Sequence, residues 1–320
     1  MIINLKDYIP LEVIPRQGNV KPLNVIEGHS SLQLNARNCR KSLILPKFIE
    51  FNDNDFMAIG LYLAEGYKAV KFDKKTYHSG EIDFAMSELN CLELFCNFIE
   101  KIGISRTELK ICVNLNINFK YQISEEEVLD YWIKSLNLTR ASLRPTSRVS
   151  YTGTQGKKIS TCTGKHGCLH LTYASIIFRS FFLNFINKIF DEAIASKNIS
   201  VICLILKGFF AGDGHVEYSI KPKRKGLYFC NQNHAFIKKL INSLQILGVN
   251  SYFITDPNNL KTNGKSLVIA KYSYMKILID YEITDLISYK KEKSLALMNS
   301  YNIINGRFSN KLKVNASDQI

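Results

Sequence analysis

Long apolar runs are missing from this sequence. No segment reaches roughly 18 uninterrupted apolar residues, so no membrane-spanning helix is expected. No leader is expected either. Met1-Ile-Ile-Asn-Leu5 is followed at once by Lys6 and Asp7, so the expected location is the cytoplasm, or an organelle matrix if an organelle encodes the chain. A disulfide framework is also absent from the pattern. The eight cysteines are scattered through apolar contexts such as Phe95-Cys96 and Ile202-Cys203, which fits reduced thiols. Acidic charge is scarce, with 28 Asp and Glu against 42 Lys and Arg, a formal net charge of +14. Such an excess on a globular chain points to a polyanionic partner, most often nucleic acid. With 320 residues, 46% hydrophobic and 22% charged, the chain can bury a sizeable core and is not expected to be disordered. Its length suits two domains or one duplicated unit.

Two stretches stand out. They are Phe56-Met-Ala-Ile-Gly-Leu-Tyr-Leu-Ala-Glu-Gly66 and Ile205-Leu-Lys-Gly-Phe-Phe-Ala-Gly-Asp-Gly214. Gly60 lies five residues before Glu65, Gly208 lies five before Asp213, and a second glycine follows each acid. In the first copy Asn52 or Asp53 can cap a helix, and Asp55 suits its positive first turn. Strand-like runs Tyr67–Phe72 and Glu81–Ala85 follow, then a helix capped by Ser87 and closed by Gly103. In the second copy Asn198 or Ser200 caps the helix. Strands His215–Ile220 and Leu227–Cys230 follow, then a helix from Asn231 or Asn233 closed by Gly248. The acid-to-glycine distances, 38 and 35 residues, match closely enough to define an internal repeat.

After Gly103 the first copy has an alternating run, Leu109–Phe119, that reads as a strand with one polar face. Ser124-Glu-Glu-Glu127 is a capping-box start. Leu169–Tyr173 reads as a strand and Ile176–Ala193 as a long helix. The second copy is shorter, with strands at Tyr252–Thr255 and Leu267–Ala270. Short helices at Tyr274–Ile279 and Thr284–Ser288 follow, then a last one near Ser294–Tyr301. The first copy therefore carries an insertion, about residues 123–160. The expected division is an amino-terminal extension (1–50), a first repeat (51–197), a second repeat (198–305) and a tail (306–320). Prolines 10, 15 and 22 make the extension read as short strands or loops, with a basic end that suits an arm.

Gly60 with Ala64, and Gly208 with Gly212, form small faces at helical spacing that let two backbones approach. An interior glycine costs about 1 kcal/mol against alanine. Two copies accepting that cost point to the two helices packing as a seam. Glu65 and Asp213 would then meet at its foot, where a hard divalent cation relieves their repulsion. Carboxylate-held magnesium on a basic protein suits phosphodiester hydrolysis.

These residues resemble the paired motifs of LAGLIDADG homing endonucleases in their single-chain, two-repeat form. Glutamate replaces aspartate in the first copy, and the likeness runs over roughly residues 50–300. The resemblance implies an α+β fold of pseudo-symmetric, duplicated αββαββα repeats. Antiparallel sheets form a saddle over the DNA major groove, and the motif helices form a central packed pair. It implies a monomer that makes a staggered double-strand cut in a long DNA target. Two or three Mg²⁺ ions are implied, held by Glu65 and Asp213 with the carbonyls of Ala64 and Gly212. By position it implies catalytic roles for Gln232 and Lys290 or Lys291, with Ser87 and Lys197 matching them in the first copy. For Lys290, within Lys290-Lys-Glu-Lys293, an ordinary solvated helix face is the competing reading.

The polar strand faces supply candidate base contacts at Lys68, Lys71, Lys110, Asn114, Asn116 and Glu217. Predicted turns supply candidate phosphate contacts at Lys74, Lys75, Lys221, Lys223, Arg224, Lys225 and Lys261. Arg140, Arg144 and Arg148 of the insertion extend that set. Cys162, His166, Cys168 and His170 have irregular spacing for zinc and read instead as a strand pair beside the nucleic acid. Two alternatives stay open: a maturase that binds its host intron RNA on the same fold, and an inactive DNA-binding regulator.

Overall fold

The computed structural model describes residues 1–13, 20–37, 39, 42–66, 70–72, 75–77, 80–143, 148–152, 164–219, 224–231, 234–255, 265–304 and 307–309. The chain forms two compact units, Met1–Ala193 and Ile194–Ile320, and the fold is α+β. No helix among the described residues is long and apolar enough to cross a membrane.

The first unit opens with strands β1 (Ile2–Asn4), β2 (Glu12–Val13), β3 (Lys21–Glu27), β4 (Ser31–Ala36), β5 (Leu43–Pro46) and β6 (Phe48–Glu50). The order β2-β3-β4-β5 is an antiparallel meander, and β1 pairs with β6. Alternation drives it: Leu32, Leu34, Leu43 and Leu45 are buried while their neighbours are not. The expected arm is therefore a packed sheet. Phe51 fastens it to the rest of the unit, with ring centroids 5.3 Å from Phe56 and 5.8 Å from both Phe98 and Phe185.

Helix α1 (Asp53–Glu65) starts at an Asn52 capping box closed by Asp55. Asp55 is 3% exposed and lies 2.5 Å from the Lys101 ammonium, so its buried charge is compensated. Strands β7 (Val70–Phe72) and β8 (Lys75–Tyr77) pair with each other. Strand β9 (Glu81–Met86) leads to α2 (Leu89–Ile102), whose cap residue is Glu88, not the expected Ser87. Gly103 closes α2 at φ 107°, where a side chain would be strained. Then come β10 (Lys110–Asn116), α3 (Glu125–Ser135), β11 (Val149–Thr152), β12 (Cys168–Ala174) and α4 (Ile176–Ala195). The sheet order is β11-β10-β12-β9, with β11 parallel to β10. That pair corrects the expectation of a wholly antiparallel sheet. The insertion is a β10-α3-β11 crossover, as a parallel neighbour requires. Of the expected strand Tyr67–Phe72, Val70–Phe72 forms β7 and 67–69 lie outside the described residues; Gly66 bridges to Phe84.

The second unit holds α5 (Ile199–Asp213), β13 (Gly214–Ser219), β14 (Arg224–Asn231), α6 (His234–Ile246), β15 (Tyr252–Thr255), β16 (Lys265–Ile269), α7 (Tyr272–Asp280), α8 (Ser288–Asn299), β17 (Asn302–Ile304) and β18 (Arg307–Ser309). Asn198 caps α5 through Val201, and Gly248 follows α6 at φ 75°. The sheet β13-β14-β16-β15 is antiparallel throughout. One helix, α8, replaces the two short ones expected across residues 284–301. The core gathers Phe209, Phe210, Phe229 and Phe236, with Phe210 and Phe229 centroids 5.2 Å apart.

Candidate functional site

Each motif ends in the same corner. Glu65 is the last residue of α1 and Asp213 the last of α5; Gly66 and Gly214 cap the two helices in extended conformation. The Gly66 amide donates to the Tyr62 carbonyl and the Gly214 amide caps onto Phe210. A Cβ on Gly66 would lie 2.4 Å from the Tyr62 oxygen and 2.7 Å from its ring. On Gly214 it would lie 2.3 Å from the Phe210 oxygen and 2.4 Å from its ring. Both glycines are thus required by space, not by an unusual φ. Their bridges correspond too, Gly66 to Phe84 and Gly214 to Phe229.

A carboxylate in the last turn opposes the helix dipole. In the second unit Lys290 offsets that cost. It is 6% exposed, and its Nζ donates to the carbonyls of Phe210 (3.0 Å), Ala211 (2.6 Å), Gly212 (3.0 Å) and Gly214 (2.8 Å). An ammonium has three protons, and here they are shared among four acceptors. The solvated-face reading of Lys290 from sequence is thereby overturned: its ammonium is buried against the corner's own backbone. Lys291 is the exposed neighbour, paired with Asp285 at 2.8 Å. Lys197, the expected first-unit counterpart, sits at φ 52° just past α4.

Two further residues escaped the sequence reading. Asn231 is 5% exposed and its amide lies 3.4 Å from the Asp213 carboxylate. Its neighbour Gln232, which was singled out, lies outside the described residues. Arg179, 7% exposed in α4, is a buried cation of the first unit. Its charge acts on Tyr62, whose hydroxyl burial pushes well above the ordinary range. Tyr62 stands three residues before Glu65, as Phe210 stands three before Asp213, and Lys290 lies 5.8 Å over the Phe210 ring.

In the first unit Ile82, Phe84, Ile111, Val113, Leu169 and Leu171 are buried on one face of the sheet. The other face is polar, and a chain of contacts crosses all four strands. Asp83 lies 3.4 Å from His170 Nδ1. Asn114 donates to His170 Nε2 at 2.8 Å and accepts from the Ser150 hydroxyl. Asn116 turns its side chain onto the Asn118 amide instead, and Lys110 donates to the Ala141 carbonyl at 3.1 Å while staying exposed. Arg148 is exposed, and Arg140 is engaged by Glu126 and Asp130. His166 stacks on Tyr131 at 3.7 Å; it does not converge with Cys168 and His170. Burial and the nearby Lys165 hold its imidazole below the ordinary range.

In the second unit Glu217 accepts from His215 Nε2 at 3.0 Å on the face that also carries Tyr228. Lys225 belongs to β14, not to a turn. It shares a strand face with buried Leu227 and Phe229, donates to the Ser300 carbonyl at 3.2 Å and lies 4.4 Å over the Tyr301 ring. That placement takes it away from the expected phosphate role. Lys71, Lys75 and Arg224 lie on described strands. Lys68, Lys74, Arg144, Lys221, Lys223 and Lys261 fall outside the described residues, as does Cys162.

Residues 200–290 match the family described as LAGLIDADG-like domain, which spans α5 to the start of α8. That match lies within the second unit and covers no part of the first. Among solved structures it is similar to mesophilic variants of the homing endonuclease I-DmoI, at 15% identity over 73% of this chain and 98% of that one, TM-score 0.37. I-DmoI in complex with DNA and Ca is 14% identical over 77% and 97%, TM-score 0.36. Full-length DUF199/WhiA from Thermatoga maritima is 11% identical over 80% and 64%, TM-score 0.41. No curated protein matches the sequence.

Proposed function

We propose that this chain is a site-specific homing endonuclease that makes a staggered double-strand cut in a long DNA target by metal-dependent phosphodiester hydrolysis. The observation that carries the reading is the matched pair of corners. In each unit one acid ends a helix against a glycine that has no room for a side chain, and in the second unit that corner lies inside the LAGLIDADG-like domain. Retention of an acid at both corners favours an active nuclease over an inactive regulator. The reading assigns Glu65 and Asp213 to cleavage, each at the end of its own unit's motif helix.

The donors fit a hard cation. Among the described residues no group of three or more His, Cys, Asp or Glu converges. A Mg²⁺-class ion needs only one or two carboxylates when phosphate and water complete its shell. Glu65 and Asp213 would hold it, with the Ala64 and Gly212 carbonyls beside them and Gln232 near the reacting phosphate. Such an ion supplies acidified water and stabilises the departing oxygen. The polar sheet faces would meet base edges, and the exposed Lys110 and Arg148 would meet phosphates.

Selecting cleaved sequences from a duplex library in Mg²⁺ or Mn²⁺ tests this directly. Recovery of one long target, cut on both strands, is the expected result. Glu65→Gln or Asp213→Asn should each slow cleavage on the order of 10³-fold and leave binding intact. Full activity in either variant sinks the assignment. Intron RNA splicing without DNA cleavage would instead establish the maturase reading.

A further inference from the structure

We propose that Lys290 is a positioning residue for Asp213: it locks the turn from helix to strand so that the carboxylate is aimed by a backbone that cannot rotate. The inference rests on the proposed nuclease reading for its cleavage arm, but not for its binding arm. The four carbonyls that Lys290 bonds are the residues on either side of Asp213, three in the last turn of α5 and one on β13. The carbonyls at a helix's carboxyl end lack the next turn's amides; that of Phe210 also accepts from the Gly214 amide. Here one buried ammonium holds all four at 3.0 Å or less, in a shell that also includes the Phe210 ring. The steric demand of Gly214 and the amide of Asn231 act on the same corner from other sides. Asp213 is thereby constrained at its backbone by Lys290 and at its carboxylate by Asn231. The ammonium bonds the corner's backbone, and its proposed effect on Asp213 passes through that corner.

The test uses the full chain carrying Lys290→Met or Lys290→Arg, with Asp213→Asn as the reference. Mn²⁺ binding is followed by electron paramagnetic resonance, and folding by thermal unfolding. Lys290→Met should weaken the Asp213-dependent Mn²⁺ site at least tenfold, and Lys290→Arg should restore part of that loss. On a strand-labelled target, Lys290→Met should slow the strand that Asp213→Asn slows, so that nicked duplex accumulates. Unchanged or tighter Mn²⁺ binding in Lys290→Met overturns the inference, because losing a nearby positive charge alone would tighten it. Equal slowing of both strands also overturns it, since that is what general loosening gives. If Lys290→Met does not fold, Lys290→Arg decides: it keeps the charge but cannot fit a forked head to four converging carbonyls, so full wild-type Mn²⁺ affinity there rejects positioning. Mn²⁺ binding through Asp213 and Lys290 with no cleavage by the wild-type chain would refute the nuclease reading and leave this one standing.

Discussion

Glu27 is held by two lysines distant in sequence, Lys6 ahead of it and Lys47 behind it. The Lys47 hydrogen bond first, then that of Lys6, bring its carboxyl down to about 2 from an ordinary 4.5. A depressed carboxylate contributes stability that is present above its unfolded value and lost as pH falls through its folded value. Amide protection factors in β3 and β4 should therefore drop between about pH 4.5 and 2, and Glu27→Gln should show the low values already at neutral pH. A flat acid profile in the wild type would remove this role. Burial also raises the Cys96 thiol to about 12 and the Cys203 thiol to about 11, so both stay protonated at neutral pH. Thiol labelling at pH 8 should reach them only after unfolding. At this scale the sequence announced the acids but not their supports. Glu65 and Asp213 stand out because they are repeated. Lys290 lies in a run of charge that looks solvated, and only the turn of α8 shows that it faces inward while Lys291 faces out. Arg179 sits among Ile177, Phe178, Phe181 and Phe182, where no periodicity marks one cation as part of a corner.

Whole elements were legible where local rules act alone. The Asn52 and Ser124 capping boxes, the Asn198 cap and the two closing glycines follow from side-chain chemistry within a few residues. The corner glycines belong here too. Gly66→Ala or Gly214→Ala should cost about 1–3 kcal/mol, because the added methyl meets backbone and ring together. Thermal unfolding measures it, and an unchanged midpoint would show that the aromatic ring can yield. The insertion was harder to read. Its α3 is announced by Ser124, but a strand as short as β11 carries no signal of the neighbour it will join or the direction it will run. Trp132 fixes the crossover from inside, its Nε1 donating to the His166 carbonyl at 2.8 Å. Trp132→Phe should lower stability by about 1 kcal/mol through that lost bond.

For the molecule as a whole, charge dominates. With a formal net charge of +14, affinity for duplex DNA should fall steeply and linearly on a log–log plot against salt, by about 0.9 per phosphate neutralised. A shallow slope would mean that the basic residues serve another purpose. Duplication was legible at this scale because the same five-residue spacing from glycine to acid, followed by closely similar spacings of 38 and 35 residues to a closing glycine, is hard to reach by chance. Its imperfection was not. Both main sheets of the repeats have four strands, yet they are not the same four. Among the described residues the first unit has the Gly66 bridge where the second has β13, and it adds β11 at the far edge. The polar face of the first unit's sheet thus includes β11, which has no counterpart among the described strands of the second unit's sheet. The two halves of a bound duplex should be gripped over unequal lengths, with the longer protection in hydroxyl-radical footprints on the side of the first unit.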